Sequence, residues 1–241
     1  MKQLVYKANY ANNIITYMFI YQATKYYFGK YISLSNDNAA MISLDTEAFK
    51  KAKQLLPEKT SNPYIEYRAL ISLTAKYLLK FNCCIFHSAS FIYKNKAWLL
   101  CAPSGTGKTT QFLNWIESYP TEIIMISGDM PVLDLSSQNE INVYSSPWNG
   151  KERIGNKISA PLGGIIYLSQ SKKNEIKELN VYEGATLLLN QYMCIPETEN
   201  EIKTIFDQLD FIFGNYPILQ YYNTGTKEST EILRREINKL I

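Results

Sequence analysis

Histidine is nearly absent from this chain of 241 residues: His87 is the single one. The cysteines are four, Cys83, Cys84, Cys101 and Cys194, and no C-x-x-C pair occurs among them. Zinc frameworks need several such ligands at short spacings, so the ligand inventory argues against one. The cysteines read instead as reduced packing residues of a cytoplasmic protein. A long hydrophobic run is also missing. Ile14–Ala23 is the longest near the N-terminus, and Thr16 and Gln22 interrupt it. It is too short and too polar to span a bilayer. No A-x-A cleavage site follows, which argues against a signal peptide. Charge of one sign is scarce too. A net charge of +3 and a pI of about 8.5 are too mild to imply nucleic acid. The expectation is a cytoplasmic protein without a membrane or nucleic-acid partner.

What remains is ordinary globular material, 46% hydrophobic and 20% charged. A chain of this length buries a sizeable core. The pattern divides it into a small N-terminal α+β lobe over residues 1–60 and a larger domain over 61–241. In the lobe, strands are predicted at Leu4–Tyr6, Ile14–Tyr21, Tyr31–Leu34 and Ala40–Leu44, and a helix at Thr46–Leu56, stopped by Pro57. A helix is predicted over Tyr64–Phe81, because Ile65, Leu70, Leu73, Tyr77 and Leu78 recur at helical spacing. Apolar runs at Cys83–Phe91 and Ala97–Cys101 flank a turn at Tyr93–Lys96, which predicts a hairpin. Further on come a strand at Glu122–Ser127, a hairpin of Val132–Leu135 with Ile141–Tyr144, and a loop at Ser145–Ile158. Then come a buried strand at Gly163–Leu168, helices at Tyr182–Gln191, Glu199–Phe213 and Lys227–Leu240, and a strand at Ile218–Tyr221.

The chemistry concentrates between Leu99 and the following helix. Ala102-Pro103-Ser104-Gly105-Thr106-Gly107-Lys108-Thr109-Thr110 links a strand to a helix without a break. Gly105 and Gly107 let the backbone adopt positive φ and turn its N–H groups inward. The helix N-terminus adds partial positive charge beneath an anion. Lys108 supplies a point charge for β- and γ-phosphates, and the Thr109 hydroxyl is a ligand for Mg²⁺. The first position of such loops is normally Gly; here it is Ala102. Pro103, Ser104, Thr106 and Thr110 complete the candidate ATP cradle.

A metal–nucleotide site also needs a carboxylate at a neighbouring strand end. Asp129, after Ile123-Ile124-Met125-Ile126, is the candidate to hold Mg²⁺ or to take a proton from an acceptor hydroxyl. Asp134 is a weaker one, since it falls in a hairpin. Trp148-Asn149-Gly150-Lys151 is a loop with a large aromatic, a flexible residue and a cation. Lys151 and Arg153 are candidates to neutralise phosphate or an acidic substrate group. The alternative is a solvated basic loop with Trp148 packed on the sheet. Glu66 and Arg68 read as helix-surface or inter-lobe contacts, and the nineteen tyrosines as half-buried packing.

The run Cys84–Ser90, a short hairpin and then Ser-Gly-Thr-Gly-Lys-Thr-Thr resembles the HPr kinase/phosphorylase group, which shares its nucleotide core with phosphoenolpyruvate carboxykinase. The likeness extends through Ser146-Pro147-Trp148-Asn149-Gly150-Lys151-Glu152 to Ala160-Pro161-Leu162. It looks closest to short HPr-kinase-like proteins of lasso and other ribosomal peptide pathways. The resemblance implies an α/β fold in which a mixed, bent sheet carries the P-loop. It implies phosphoryl transfer from ATP, with Mg²⁺, to a serine of a peptide or protein, in a chain that can oligomerise. His87 matches a family histidine near the γ-phosphate. The family has two adjacent aspartates where this chain has Gly128-Asp129, which puts the proton acceptor in question. The signature for HPr docking is not found. Two other readings stay open: a kinase for a small hydroxyl compound, and a low-turnover ATP-binding regulator or leader-peptide-binding module.

Overall fold

The computed structural model describes residues 4–36, 41–103, 105–150 and 152–241. Ala40, Ser104 and Lys151, named above, lie outside them.

The N-terminal lobe is a four-stranded mixed sheet in the order β3-β1-β2-β4. Its strands are β1 (Val5–Tyr10), β2 (Asn13–Met18), β3 (Ile32–Leu34) and β4 (Ile42–Ser43). A short helix α1 (Lys25–Phe28) lies between β2 and β3, and α2 (Thr46–Gln54) follows β4. The Asp45 carboxylate caps α2 by accepting from the Ala48 N–H at 2.7 Å. Helix α3 (Asn62–Leu79) starts with Pro63 in its first turn. It buries Leu70, Ile71 and Leu78 against the lobe and the larger sheet.

Glu66 on α3 is fully buried and ties the lobe to that helix. Its carboxylate accepts from the Ile20 N–H at 2.6 Å, the Tyr21 N–H at 3.0 Å and the Thr24 hydroxyl at 2.6 Å. A buried carboxylate is tolerated only when its oxygens are bonded in this way. The inter-lobe contact expected of Glu66 is therefore observed, and Arg68 turns out to be placed differently, as described below.

The second sheet is mixed and has nine strands, in the order β5-β9-β10-β11-β7-β6-β8, with β13 on β11 and β12 on β13. The strands are β5 (Cys83–Ile85), β6 (Ser88–Tyr93), β7 (Lys96–Cys101), β8 (Ile123–Ser127), β9 (Val132–Asp134), β10 (Asn142–Tyr144), β11 (Ser159–Gln170), β12 (Glu175–Glu178) and β13 (Ile218–Asn223). Helices α4 (Lys108–Ser118), α5 (Val181–Leu189), α6 (Glu199–Asn215) and α7 (Lys227–Ile237) complete the chain. The α/β class, the mixed sheet carrying the loop and the small N-terminal sheet lobe are thus present. One core lies between the lobe, α3 and the sheet, and includes Tyr17, Phe28, Leu70 and Trp148. Another lies on the opposite face against α4 and α7, and includes Phe91, Trp98, Trp115 and Leu233.

The apolar run expected as one strand over Cys83–Phe91 is two. β5 pairs with β9, whereas β6 pairs with β7 and β8. The chain changes partners at Phe86 and His87. Phe86 N–H bonds to Pro131 O at 3.1 Å and His87 N–H to Gln191 O at 2.7 Å. β11 is longer than expected because its first residues pair with β10 and its later ones with β7 and β13. A register shift between Leu162 and Gly164 accompanies that exchange of partners. The four cysteines are buried and free. Among the described residues, no helix is long and apolar enough to cross a membrane.

Candidate functional site

Strand order dictates where the chemistry collects. β6 lies between β7 and β8 and runs antiparallel to both. β7 and β8 therefore run the same way, and their C-terminal ends share one edge with the start of β6. The loop after β7, Gly128-Asp129 after β8 and His87 before β6 all emerge there. Strand C-terminal edges are the usual ligand crevice of α/β folds.

The loop has the backbone expected of it. Gly105 has φ +81° and Gly107 φ +99°, and open space surrounds each Cα. The requirement for glycine is thus conformational rather than steric. Gly107 is the N-cap of α4 and accepts the Gln111 N–H at 2.9 Å. Ala102 is buried in the core with Leu100 and Phe112, so its methyl points away from the crevice side. Its carbonyl accepts a hydrogen bond from Lys108 Nζ at 2.7 Å. Thr109 and Thr110 are exposed on the first turn of α4.

Lys108 Nζ also lies 3.2 Å from His87 Nε2, and the same nitrogen lies 3.2 Å from Asp129 Oδ1. With one proton, Nε2 can accept from the ammonium or donate to the carboxylate, but not both. Withdrawal of Lys108 toward a phosphate would leave His87 to pair with Asp129. Partial burial lowers the Lys108 pKa below the ordinary lysine value, and the Asp129 charge opposes that shift. Asp129 is held in place by its own backbone: its carbonyl accepts the Ser88 N–H at 2.8 Å.

Gly128 sits where the backbone of a neighbouring loop comes close. A Cβ there would stand 2.8 Å from the Asn149 carbonyl oxygen and 3.0 Å from that of Ile154. A side chain does not fit while the 149–154 loop packs on β8. Asp129 is the carboxylate at this strand end. A second, Glu152, is exposed on the same loop. The Cβ position of Gly150 is 3.4 Å from Glu152 Oε2 and 3.3 Å from Asp129 Cβ. Asp134 lies away from the cavity, where it accepts from the Ser136 N–H at 3.0 Å.

These groups open into a cavity of about 1020 Å³ whose opposite wall belongs to the lobe and α3. Gly105, Gly107, Lys108, Thr109, Thr110, His87 and Asp129 line one side. Tyr26, Tyr27, Tyr64, Arg68 and Lys30 line the other, with Arg153 between. Ser104 and Lys151 lie outside the described residues, and Pro103 is exposed beside the loop. Trp148 borders the cavity but is almost wholly covered. It is buried, stacked on Tyr10 at 6.0 Å, and donates Nε1–H to the Tyr67 carbonyl at 3.0 Å. The Tyr67 hydroxyl in turn donates to Pro147 O at 2.9 Å. Lys30 donates to Gly155 O at 2.8 Å, and Asn149 Nδ2 to the Tyr31 hydroxyl at 3.1 Å. Four hydrogen bonds thus clamp the 147–155 loop to the lobe side.

The lobe side of the cavity is what sequence reasoning missed. Tyr-rich segments at 26–31 and 64–67 were the available signal, and bulk tyrosine abundance obscured it. The oxygen donors of Thr109 and Asp129 suit Mg²⁺, a hard cation that keeps most of its waters and takes few protein ligands.

Fold and site together define an α/β protein with a glycine-rich strand-to-helix loop at a sheet edge. No family model and no curated protein matches the sequence. The structure is similar to that of the Hpr(Ser) kinase/phosphatase from Coxiella burnetii, at 9% identity and a TM-score of 0.37, over 64% of this chain and 92% of that one. A likeness that loose bears on neither activity nor substrate.

Proposed function

We propose that the protein is an ATP- and Mg²⁺-dependent kinase that phosphorylates a serine hydroxyl, with a peptide as the acceptor. One observation carries the reading: the glycine loop, Lys108 and the His87–Asp129 pair converge on one cavity at the sheet edge. The loop amides and the Lys108 ammonium hold the β- and γ-phosphates of ATP. Thr109 and Asp129 hold Mg²⁺, which neutralises phosphate oxygens when bound. The serine oxygen attacks the γ-phosphorus and the bond to the β,γ-bridging oxygen breaks, leaving ADP. The hydroxyl proton passes to Asp129 or to His87, which are bonded to each other. Arg153 adds positive charge to the cavity, and Lys151 lies two residues before it in sequence. Phosphoryl transfer is chiefly positioning and electrostatics, so these groups suffice. The motif resemblance favours a ribosomally made precursor peptide as the acceptor and the cytoplasm as the setting.

Incubation with γ-labelled ATP, Mg²⁺ and serine peptides, followed by mass spectrometry, tests the proposal. Label transfer that persists in Lys108→Ala would sink it. A second reading has its own support: Gly128 has no room for a side chain, so only one aspartate stands at this strand end. A low-turnover nucleotide-binding module would show stabilisation by ATP with no phosphorylated product. A small-molecule hydroxyl kinase would label glycerol-like or amino-acid acceptors and not peptides.

A further inference from the structure

Arginine is rare in this chain. It occurs at 68, 153, 234 and 235, against 21 lysines. Arg234 and Arg235 stand on α7 and are committed to carboxylates, Glu122 at 2.9 Å and Glu231 at 3.1 Å. Arg68 and Arg153 both line the cavity, and neither has a carboxylate partner among the described residues. They reach it from separate elements. Arg68 projects from α3. Arg153 sits at φ +50°, a conformation that non-glycine residues rarely adopt, and its guanidinium lies 5.6 Å from the Tyr27 ring centre. Tyr27 packs on Tyr64 at 5.4 Å and on Tyr67 at 5.3 Å. Burial raises the Tyr67 pKa, and the charges of Arg68 and Arg153 oppose that shift, so both cations lie within electrostatic reach of its hydroxyl.

The two walls of the cavity therefore differ in kind. The loop wall offers backbone amides and Lys108, the equipment for a polyphosphate. The lobe side offers two guanidiniums that have no carboxylate partner among the described residues, one of them packed on the Tyr27 ring. A guanidinium binds a carboxylate or phosphate through two parallel N–H bonds, which a lysine cannot do. In-line transfer requires the attacking oxygen to approach the γ-phosphorus from the side opposite the leaving group. With the triphosphate on the loop wall, the lobe wall is the other face of the cavity against which an acceptor can lie.

We propose, on the reading that the loop holds a nucleoside triphosphate, that Arg68 and Arg153 form the acceptor subsite and select a hydroxyl acceptor carrying an anionic group. Tyr27 and Tyr64 form the flat surface on which that acceptor lies. The anionic group is a carboxylate or phosphate close to the reacting hydroxyl. A peptide and a small hydroxy acid can both supply it.

Calorimetry on the full chain with Mg²⁺ and a non-hydrolysable ATP analogue tests this. Two matched pairs of acceptors serve as probes: a serine peptide ending in a free carboxylate against its amide, and glyceric acid against glycerol. The expected result is that at least one anionic member binds about tenfold or more tightly than its neutral partner. The peptide and small-molecule pairs tell the two sources apart. In Arg68→Ala and in Arg153→Gly, which suits the positive φ, that ratio falls to near one. Arg68→Lys retains part of it. Equal binding of both members of both pairs overturns the proposal, as does a ratio that survives in both variants. A loss of nucleotide affinity in place of acceptor preference also overturns it, since it assigns the arginines to the triphosphate. The underlying nucleotide reading fails separately, in the titration of the wild-type chain with the analogue before any acceptor is added.

Discussion

The two walls of the cavity are built by opposite strategies. The loop wall is open at its tip: among the described residues nothing lies within 4 Å of a would-be Cβ at Gly105 or Gly107, and Thr109 and Thr110 face solvent, while Lys108, His87 and Asp129 are half-buried behind them. It contributes little packing, so its residues answer to chemistry alone. The lobe wall is assembled from α1, α3 and the 147–155 loop, and its backing is dense. Phe28 stands 5.6 Å from Trp148 and 5.7 Å from Tyr67, and Glu66 anchors the segment before α1. Changes there travel into the core. The contrast teaches that binding and stability should separate cleanly on the loop side and fail together on the lobe side.

Breaking the loop wall at Lys108 should have the largest effect. Lys108→Ala removes the charge beside the phosphates, and transfer should fall by about 10³-fold, while the thermal midpoint stays near that of the wild type. A matching fall in midpoint would erase the distinction between the walls. Adding an aspartate beside Asp129 should do damage of another kind. Gly128→Asp drives a Cβ into the Asn149 carbonyl at 2.8 Å and should cost about 3 kcal/mol in denaturant unfolding, without raising turnover. A stable and faster Gly128→Asp variant would show that the 149–154 loop yields readily.

On the lobe side, Glu66→Ala leaves the Ile20 and Tyr21 amides and the Thr24 hydroxyl without their acceptor. A loss of about 3 kcal/mol is expected, with faster hydrogen exchange at those two amides. Acceptor binding should weaken with it, because the same segment leads into Tyr26 and Tyr27. Gly107→Ala is milder in stability. A φ of +99° strains alanine by about 1–2 kcal/mol, and nucleotide affinity should fall further than stability does.

The smallest effect is a pH dependence. Burial lowers the Lys108 pKa below its ordinary 10.5. Between the folded value and 10.5 the unfolded chain binds more protons at this site, so stability should rise slightly with pH there. ATP affinity should fall across the same window as the ammonium is lost. Isothermal titration from pH 8 upward checks it. An affinity constant through that range would mean that Lys108 does not hold phosphate.

Most of the regular structure was legible in the sequence because hydrophobic period and turn residues are local. Helix α3 and the β9–β10 hairpin lie where the pattern puts them. The division of Cys83–Phe91 into β5 and β6 was not legible. Both halves are buried, so the apolar run is continuous, and only pairing with β9 on one side and β7 on the other separates them. That same division makes His87 a crevice residue rather than a strand residue. Nor could the meeting of Tyr27, Tyr64 and Arg68 in one cavity be read, since their neighbours in space are far apart in the chain.

What the sequence by itself determined is the glycine-rich loop between β7 and α4. A polyphosphate nest needs consecutive amides, two positive-φ positions and the next lysine, and all of these lie within one stretch of chain. Tertiary structure alone decided the rest of the site. The meeting of His87 with Asp129, the exclusion of a side chain at Gly128 and the presence of Arg68 and Arg153 in the same cavity depend on strand order and on the clamp between lobe and 147–155 loop. No local pattern encodes contacts of that range, because each is set by which surfaces the chain buries together.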